Sequence, residues 1–217
     1  MTGATQEHAH TGTPGTPDMP GLAVLISGGG RTMVNIAHRC ADGTIPARVA
    51  VVIASRDCAG IERASELGLP TLRAPGELAI EWLEELSRDY GFSYAALAGY
   101  LRLFDVPPPL EGRVLNIHPA LLPGNGTAGP FGGRGMHGMR VHEAVLASGA
   151  HESGCTVHLV NHEYDAGEII LQRRCPVEPG DTPETLAARV FELEREAYPE
   201  ALRLVIERDA AARAQER

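Results

Sequence analysis

The chain has 217 residues, with 43% hydrophobic and 22% charged side chains, enough apolar content to bury a core of ordinary globular size. Its formal net charge of −9 and pI near 5.5 argue against non-specific nucleic-acid binding, which needs a basic face. Cys40, Cys58, Cys155 and Cys175 form no CxxC pair, so they read as reduced thiols of a cytoplasmic protein rather than a disulfide framework.

Residues 1–20, MTGATQEHAHTGTPGTPDMP, lack both a basic start and an apolar stretch. They do not match a secretory signal, and their Gly, Pro and Thr content predicts a disordered tail. His8 and His10 within it are weak grounds for a metal. No apolar run approaches the roughly 18 residues of a membrane span.

From Gly21 the chain alternates. GLAVLIS predicts a buried strand, then GGGRT a loop and MVNIAHRCADG a helix stopped by Gly43. ARVAVVIAS is a second buried strand, IERASELG a short helix and PTLRA a short strand. GELAIEWLEELSRDYG is an amphipathic helix ending at Gly91. SYAALAGY and RVLNIH follow as strands. Strands alternating with helices predict an α/β fold, a mostly parallel sheet covered on both faces. Residues 122–138 carry seven glycines and are too long for an ordinary connector. MRVHEAVLASG resumes as a helix. GCTVHLVN and GEIILQRRCPV then predict an antiparallel strand pair around the turn HEYDAG. The last element is a long helix capped by Thr182 with Pro183 behind it, and Pro199 predicts a break within it.

Three places carry chemistry. SGGGRT joins the first strand to the first helix, where backbone N–H groups can meet an anion. Arg31 adds a cation and Thr32 a hydroxyl. The loop satisfies neither the dinucleotide fingerprint nor the P-loop pattern, and a tight turn without ligand is the alternative. Asn116 and His118 stand two apart at a strand end, so they share a face. Pro119 keeps that end extended. An amide donor beside an imidazole suits direct attack on a carbonyl through a tetrahedral intermediate. No GxSxG elbow offers a covalent nucleophile. Taken alone, the pair could equally be a satisfied core couple. Asp165, in the turn between the last two strands, would favour the imidazolium form of His118 if close to it, or else simply cap its turn. His158 and His162 lie four apart on a strand, about 13 Å by strand rise, which is too far to share a metal.

These segments together resemble the formyltransferase family that uses 10-formyltetrahydrofolate, most closely its phosphoribosylglycinamide branch. VLISGGGRTM is similar to the family's phosphate loop, LAGYLRLF to its folate-pocket strand and loop, and LNIHPALLP to its catalytic segment. SGCTVHLVNHEYDAGEIILQRRCPV resembles its Asp-bearing loop, and ARVFELEREAYPEAL its final helix. The resemblance runs from about Gly21 to Leu202. It implies one formyltransferase domain over 21–217, with a Rossmann-like sheet and an antiparallel C-terminal strand pair. It implies formyl transfer from 10-formyltetrahydrofolate, without a metal, to the amine of a phosphorylated acceptor in purine biosynthesis. Neither nucleic acid nor membrane is an expected partner.

By the same resemblance Asn116, protonated His118 and Asp165 are catalytic. Gly30, Arg31, Thr32 and Glu194 bind the acceptor. Leu101, Arg102, Leu103, Phe104 and Asn116 bind the folate. The family usually has Ser and Asn where Arg31 and Thr32 stand, and a shorter segment where residues 124–138 form the Gly-rich loop, read here as a lid. A formyltetrahydrofolate hydrolase, a formyltransferase for another amine and a non-catalytic folate-binding domain are the alternative readings.

Overall fold

Buried strands set the architecture. In the computed structural model, which describes residues 19–74 and 78–216, β1 (Gly21–Ile26) is buried along its whole length. The expected disordered tail falls almost entirely on residues 1–18, with His8 and His10, and lies outside the described residues. After β1 come α1 (Arg31–Ala41), β2 (Arg48–Ala54), α2 (Ala59–Glu66), β3 (Thr71–Arg73), α3 (Ile80–Tyr90), β4 (Phe92–Leu97) and β5 (Val114–His118). The chain ends with α4 (Met139–Ala147), β6 (Glu152–Leu159), β7 (Ile169–Pro176) and α5 (Pro183–Gln215).

The seven strands form one sheet in the order β3-β2-β1-β4-β5-β6-β7. The first five run parallel; β6 pairs antiparallel with β5, and β7 with β6. The predicted mixed sheet is therefore present. Apolar residues alternate between its faces. Leu22, Val24 and Ile26 join Met33, Ile36, Val141, Tyr198 and Leu202 on one side, packed with α1, α4 and α5. Ala23 and Leu25 join Leu83, Leu86, Phe104 and Leu110 on the other, with α3. Chain order reverses between β1 and β4, so a crevice opens beyond their carboxyl ends. The thiols of Cys40 and Cys155 are buried, which pushes both up to about 12. Among the described residues no helix is long and apolar enough to cross a membrane.

The expected break at Pro199 is absent. α5 runs unbroken through Pro199, with its start fixed by a capping box between Thr182 and Thr185. A proline has no N–H for the carbonyl four residues earlier, which leaves the Arg195 carbonyl without a helical partner. Asn35 on α1 supplies the missing donor, its Nδ2 giving a hydrogen bond of 2.9 Å to that carbonyl. One residue before the proline, the buried Tyr198 hydroxyl reaches the carbonyls of Leu97 and Leu115 at 3.1 and 2.9 Å. The helix is thereby tied to the carboxyl end of β4 and to the amino-terminal half of β5. Asn35→Ala is expected to cost about 1 kcal/mol, the size of one net hydrogen bond, and to lower the thermal unfolding midpoint by about 2–4 °C.

Candidate active site

A cleft of about 1330 Å³ lies over the carboxyl ends of β1, β4 and β5, and every one of the predicted site residues lines it. The glycine loop forms one end. Gly30 adopts a left-handed φ of 73° and caps α1, and a Cβ there would sit 2.8 Å from the Gly60 Cα. Only glycine fits both the angle and the approach. The loop's carbonyls are held from behind: Arg56 Nε donates to Ser27 O at 2.7 Å, and Arg63 donates to Gly29 O at 2.5 Å. The first N–H groups of α1 have no intrahelical acceptor, so the loop presents donors and the Arg31 cation to the cleft. Ser27 Oγ also accepts from Leu101 N at 3.2 Å and bonds Ser55 Oγ at 2.7 Å. That hydroxyl couples the glycine loop to the predicted folate loop.

The folate segment divides. Leu101 and Leu103 are 42% and 43% exposed at the cleft mouth, whereas Phe104 is 1% exposed and meets the Tyr100 ring edge-on at 6.4 Å. Phe104 thus shapes the wall from the core, and its ring has little surface left for a ligand. The Tyr100 hydroxyl is buried without a hydrogen-bond partner, and burial pushes it up to about 12.

Asn116 and His118 do share a face, and Asp165 is brought to both. Asp165 holds a left-handed φ of 53°, which a short polar side chain tolerates better than most. Its Oδ2 stands 3.5 Å from His118 Nδ1 and accepts from Gly133 N at 2.9 Å; its Oδ1 accepts from Asn116 Nδ2 at 3.2 Å. His118 Nε2 donates to the Phe131 carbonyl at 2.7 Å, which assigns a proton to that nitrogen. The Gly-rich segment, through Phe131 and Gly133, therefore bonds both catalytic candidates. The strand end is rigid because buried Thr156 donates to Ala120 O at 2.7 Å and accepts from Leu122 N at 3.0 Å.

The charge state of His118 differs from the sequence expectation. Burial is the dominant influence and lowers its affinity for a second proton; Asp165 and the Phe131 carbonyl oppose this without overcoming it. His118 is held below its ordinary value, not above it. For Asp165, burial would raise the carboxyl, but His158, His118 and the Gly133 N–H together hold it below the usual range. At neutral pH the pair is a carboxylate beside a neutral imidazole.

Sequence reasoning considered His158 only for a metal. It stands directly across from Asn116 in the β5–β6 register. Its Nδ1 donates to Leu159 O at 2.8 Å, which leaves Nε2 to accept from Asn116 Nδ2 at 3.2 Å. His158 thereby fixes the orientation of the Asn116 amide. No motif marks this role, because it depends on strand register. Phe191, which lines the cleft, and Ser27, buried behind it, carried no sequence signal either. Among the described residues there is no group of three or more side chains suited to hold a metal.

The Formyl transferase family profile matches residues 21–202. The chain belongs to the formyl transferase family. It is 41% identical over 206 residues to the chloroplastic phosphoribosylglycinamide formyltransferase of Arabidopsis thaliana, covering 90% of this chain and 68% of that protein. It is 35% identical to the phosphoribosylglycinamide formyltransferase of Haemophilus influenzae, covering 83% and 84%. Some relatives are longer: the chain spans 61% of the Vigna unguiculata enzyme and 18% of the Bos taurus trifunctional purine biosynthetic protein adenosine-3. The crystal structure of glycinamide ribonucleotide transformylase 1 from Symbiobacterium toebii superposes with a TM-score of 0.76 at 40% identity, over 87% of this chain and 88% of that one. The family accounts for the mixed sheet and for the motifs around the cleft.

Glu194 lines the cleft, partly covered, and burial raises its carboxyl to about 7 against the pull of Arg31. A group raised on folding stabilises fully below its unfolded value and loses that contribution as pH rises through the folded value. The Glu194 contribution should therefore decline between about pH 4.5 and 7. Thermal melts from pH 4.5 to 8 should show Glu194→Gln flattening that decline.

Proposed function

We propose that the chain transfers the formyl group of 10-formyltetrahydrofolate to the amine of phosphoribosylglycinamide, in de novo purine biosynthesis. The observation that carries this reading is the junction of three pieces in one cleft: the glycine loop with Arg31, the Asn116–His118–Asp165 cluster, and the 101–104 loop. The relatives that bear the phosphoribosylglycinamide formyltransferase name support the reaction class and the acceptor. We read residues 21–217 as one catalytic unit, and the cytoplasm as its compartment.

In this reading Gly30, Arg31, Thr32 and Glu194 take the acceptor, while Leu101, Arg102, Leu103 and Phe104 wall the folate. The acceptor's amine lone pair forms a C–N bond to the formyl carbon, and the carbonyl electrons move onto oxygen. His118 Nε2–H is already aimed at an oxygen acceptor, the Phe131 carbonyl. The formyl oxygen replaces that carbonyl, so the lid segment withdraws for each turnover. Asn116 turns one of its two N–H bonds from Asp165 or His158 toward the same oxygen. A neutral His118 suffices as donor. The oxyanion that develops beside it adds negative charge and raises its proton affinity during the reaction. The oxyanion then collapses, the bond to folate N10 breaks, and N10 takes the proton that the amine releases.

The decisive measurement is turnover of 10-formyltetrahydrofolate with and without phosphoribosylglycinamide. Tetrahydrofolate should appear only with the acceptor, in equal amount to formylated product. Release without acceptor would make the protein a hydrolase. His118→Ala should lower kcat at least about 100-fold with the fold retained, the usual size of a donor or acid–base contribution. Near-normal turnover in that variant would remove His118 from the reaction. Arg31→Ala should raise KM for the acceptor and leave that for folate unchanged. A shift in the folate KM alone would show the two pockets exchanged.

A further inference from the structure

Ala187, Phe191 and Glu194 are spaced four and three residues apart on α5, so they share a face, and all three line the cleft. Phe191 is half-buried, and among the described residues it joins neither apolar cluster of the core. Its ring instead meets Arg31: the guanidinium carbon lies 4.1 Å from the ring centre. Arg31 opens α1 beside the glycine loop, and its side chain is exposed. Arg56 and Arg63 hold loop carbonyls and do not line the cleft, whereas Arg31 does.

Two partners compete for this guanidinium. A carboxylate such as Glu194 would neutralise its charge and occupy its N–H edge. An aromatic face holds the cation without neutralising it and leaves the in-plane N–H groups free for a planar, two-point contact with phosphate oxygens. It also removes rotamer freedom before the ligand arrives, which lowers the entropy lost on binding.

We propose that Phe191 is a positioning residue for acceptor binding: its ring holds the Arg31 guanidinium beside the glycine loop, so that the acceptor's phosphate is gripped between a fixed cation and the first N–H groups of α1. This rests on the reading of the glycine loop as the acceptor's phosphate site. Phe191 itself need not touch the acceptor.

The test is steady-state kinetics on the full chain with both substrates varied, for Phe191→Leu, Phe191→Tyr, Arg31→Ala and the Phe191→Leu/Arg31→Ala pair, each checked by thermal melting. Phe191→Leu keeps apolar bulk and removes the π face. It should raise the acceptor KM about 2- to 30-fold, the range of a cation–π contact, with kcat and the folate KM within about twofold. Phe191→Tyr should restore the wild-type KM. In the Arg31→Ala background Phe191→Leu should have no further effect, because the ring acts through the arginine. If Arg31→Ala raises the acceptor KM and Phe191→Leu does not, the Phe191 proposal falls and the phosphate site stands. If Phe191→Leu acts equally with and without Arg31, the ring works by another route and the proposal also falls. If neither change moves the acceptor KM, the phosphate reading itself is wrong.

Discussion

A buried carboxylate has to be surrounded by donors, and the site is organised around that requirement at Asp165. Its two oxygens accept from the Asn116 amide and the Gly133 N–H, and the His118 and His158 rings each stand 3.5 Å away. These groups come from β5, β6 and the Gly-rich segment, and Asp165 itself from the β6–β7 connection. Losing either N–H donor would leave a buried charge short of a partner, which is costly in a low-dielectric interior. The left-handed backbone of Asp165 is tolerable because the surrounding contacts hold it there. Directly behind it, Gly167 lies so close to the Leu159 carbonyl that a Cβ could not be placed.

The same packing gives Asn116 and His118, the proposed catalytic pair, protein partners for their donors. His118 gives its Nε2–H to Phe131, and Asn116 gives its N–H groups to His158 and Asp165. Each bond is of a kind that a substrate oxygen can replace. In the proposed reaction the site holds its donors in place and exchanges their partners for the formyl oxygen. The glycine-loop end, the proposed acceptor site, has a parallel arrangement, in which the Arg31 cation rests on an aromatic ring and not on a carboxylate.

α5 connects these regions to the core. Where it passes through Pro199, Asn35 satisfies the carbonyl that the proline leaves free, and Tyr198 beside the proline binds the carbonyls of Leu97 in β4 and Leu115 in β5. Local sequence rules put a break at Pro199 because they count only the N–H that proline lacks. They have no term for a donor delivered from α1.

Much of this molecule could be read from its residues. β1 and β2 are apolar on both faces, and only burial between two helix layers tolerates that, so the sheet followed from pattern alone. The glycine loop, the Asn116–x–His118 pair and the Asp165 turn were visible as types and spacings, and their resemblance to a known family joined them. What the tertiary structure decided was proximity and its electrostatic result. His158 became the orienting partner of Asn116 through strand register, which no linear spacing encodes. Phe191 met Arg31 because α5 crosses the start of α1. His118 stays neutral because its burial outweighs Asp165, and desolvation is a property of the whole surrounding volume rather than of any neighbour in sequence.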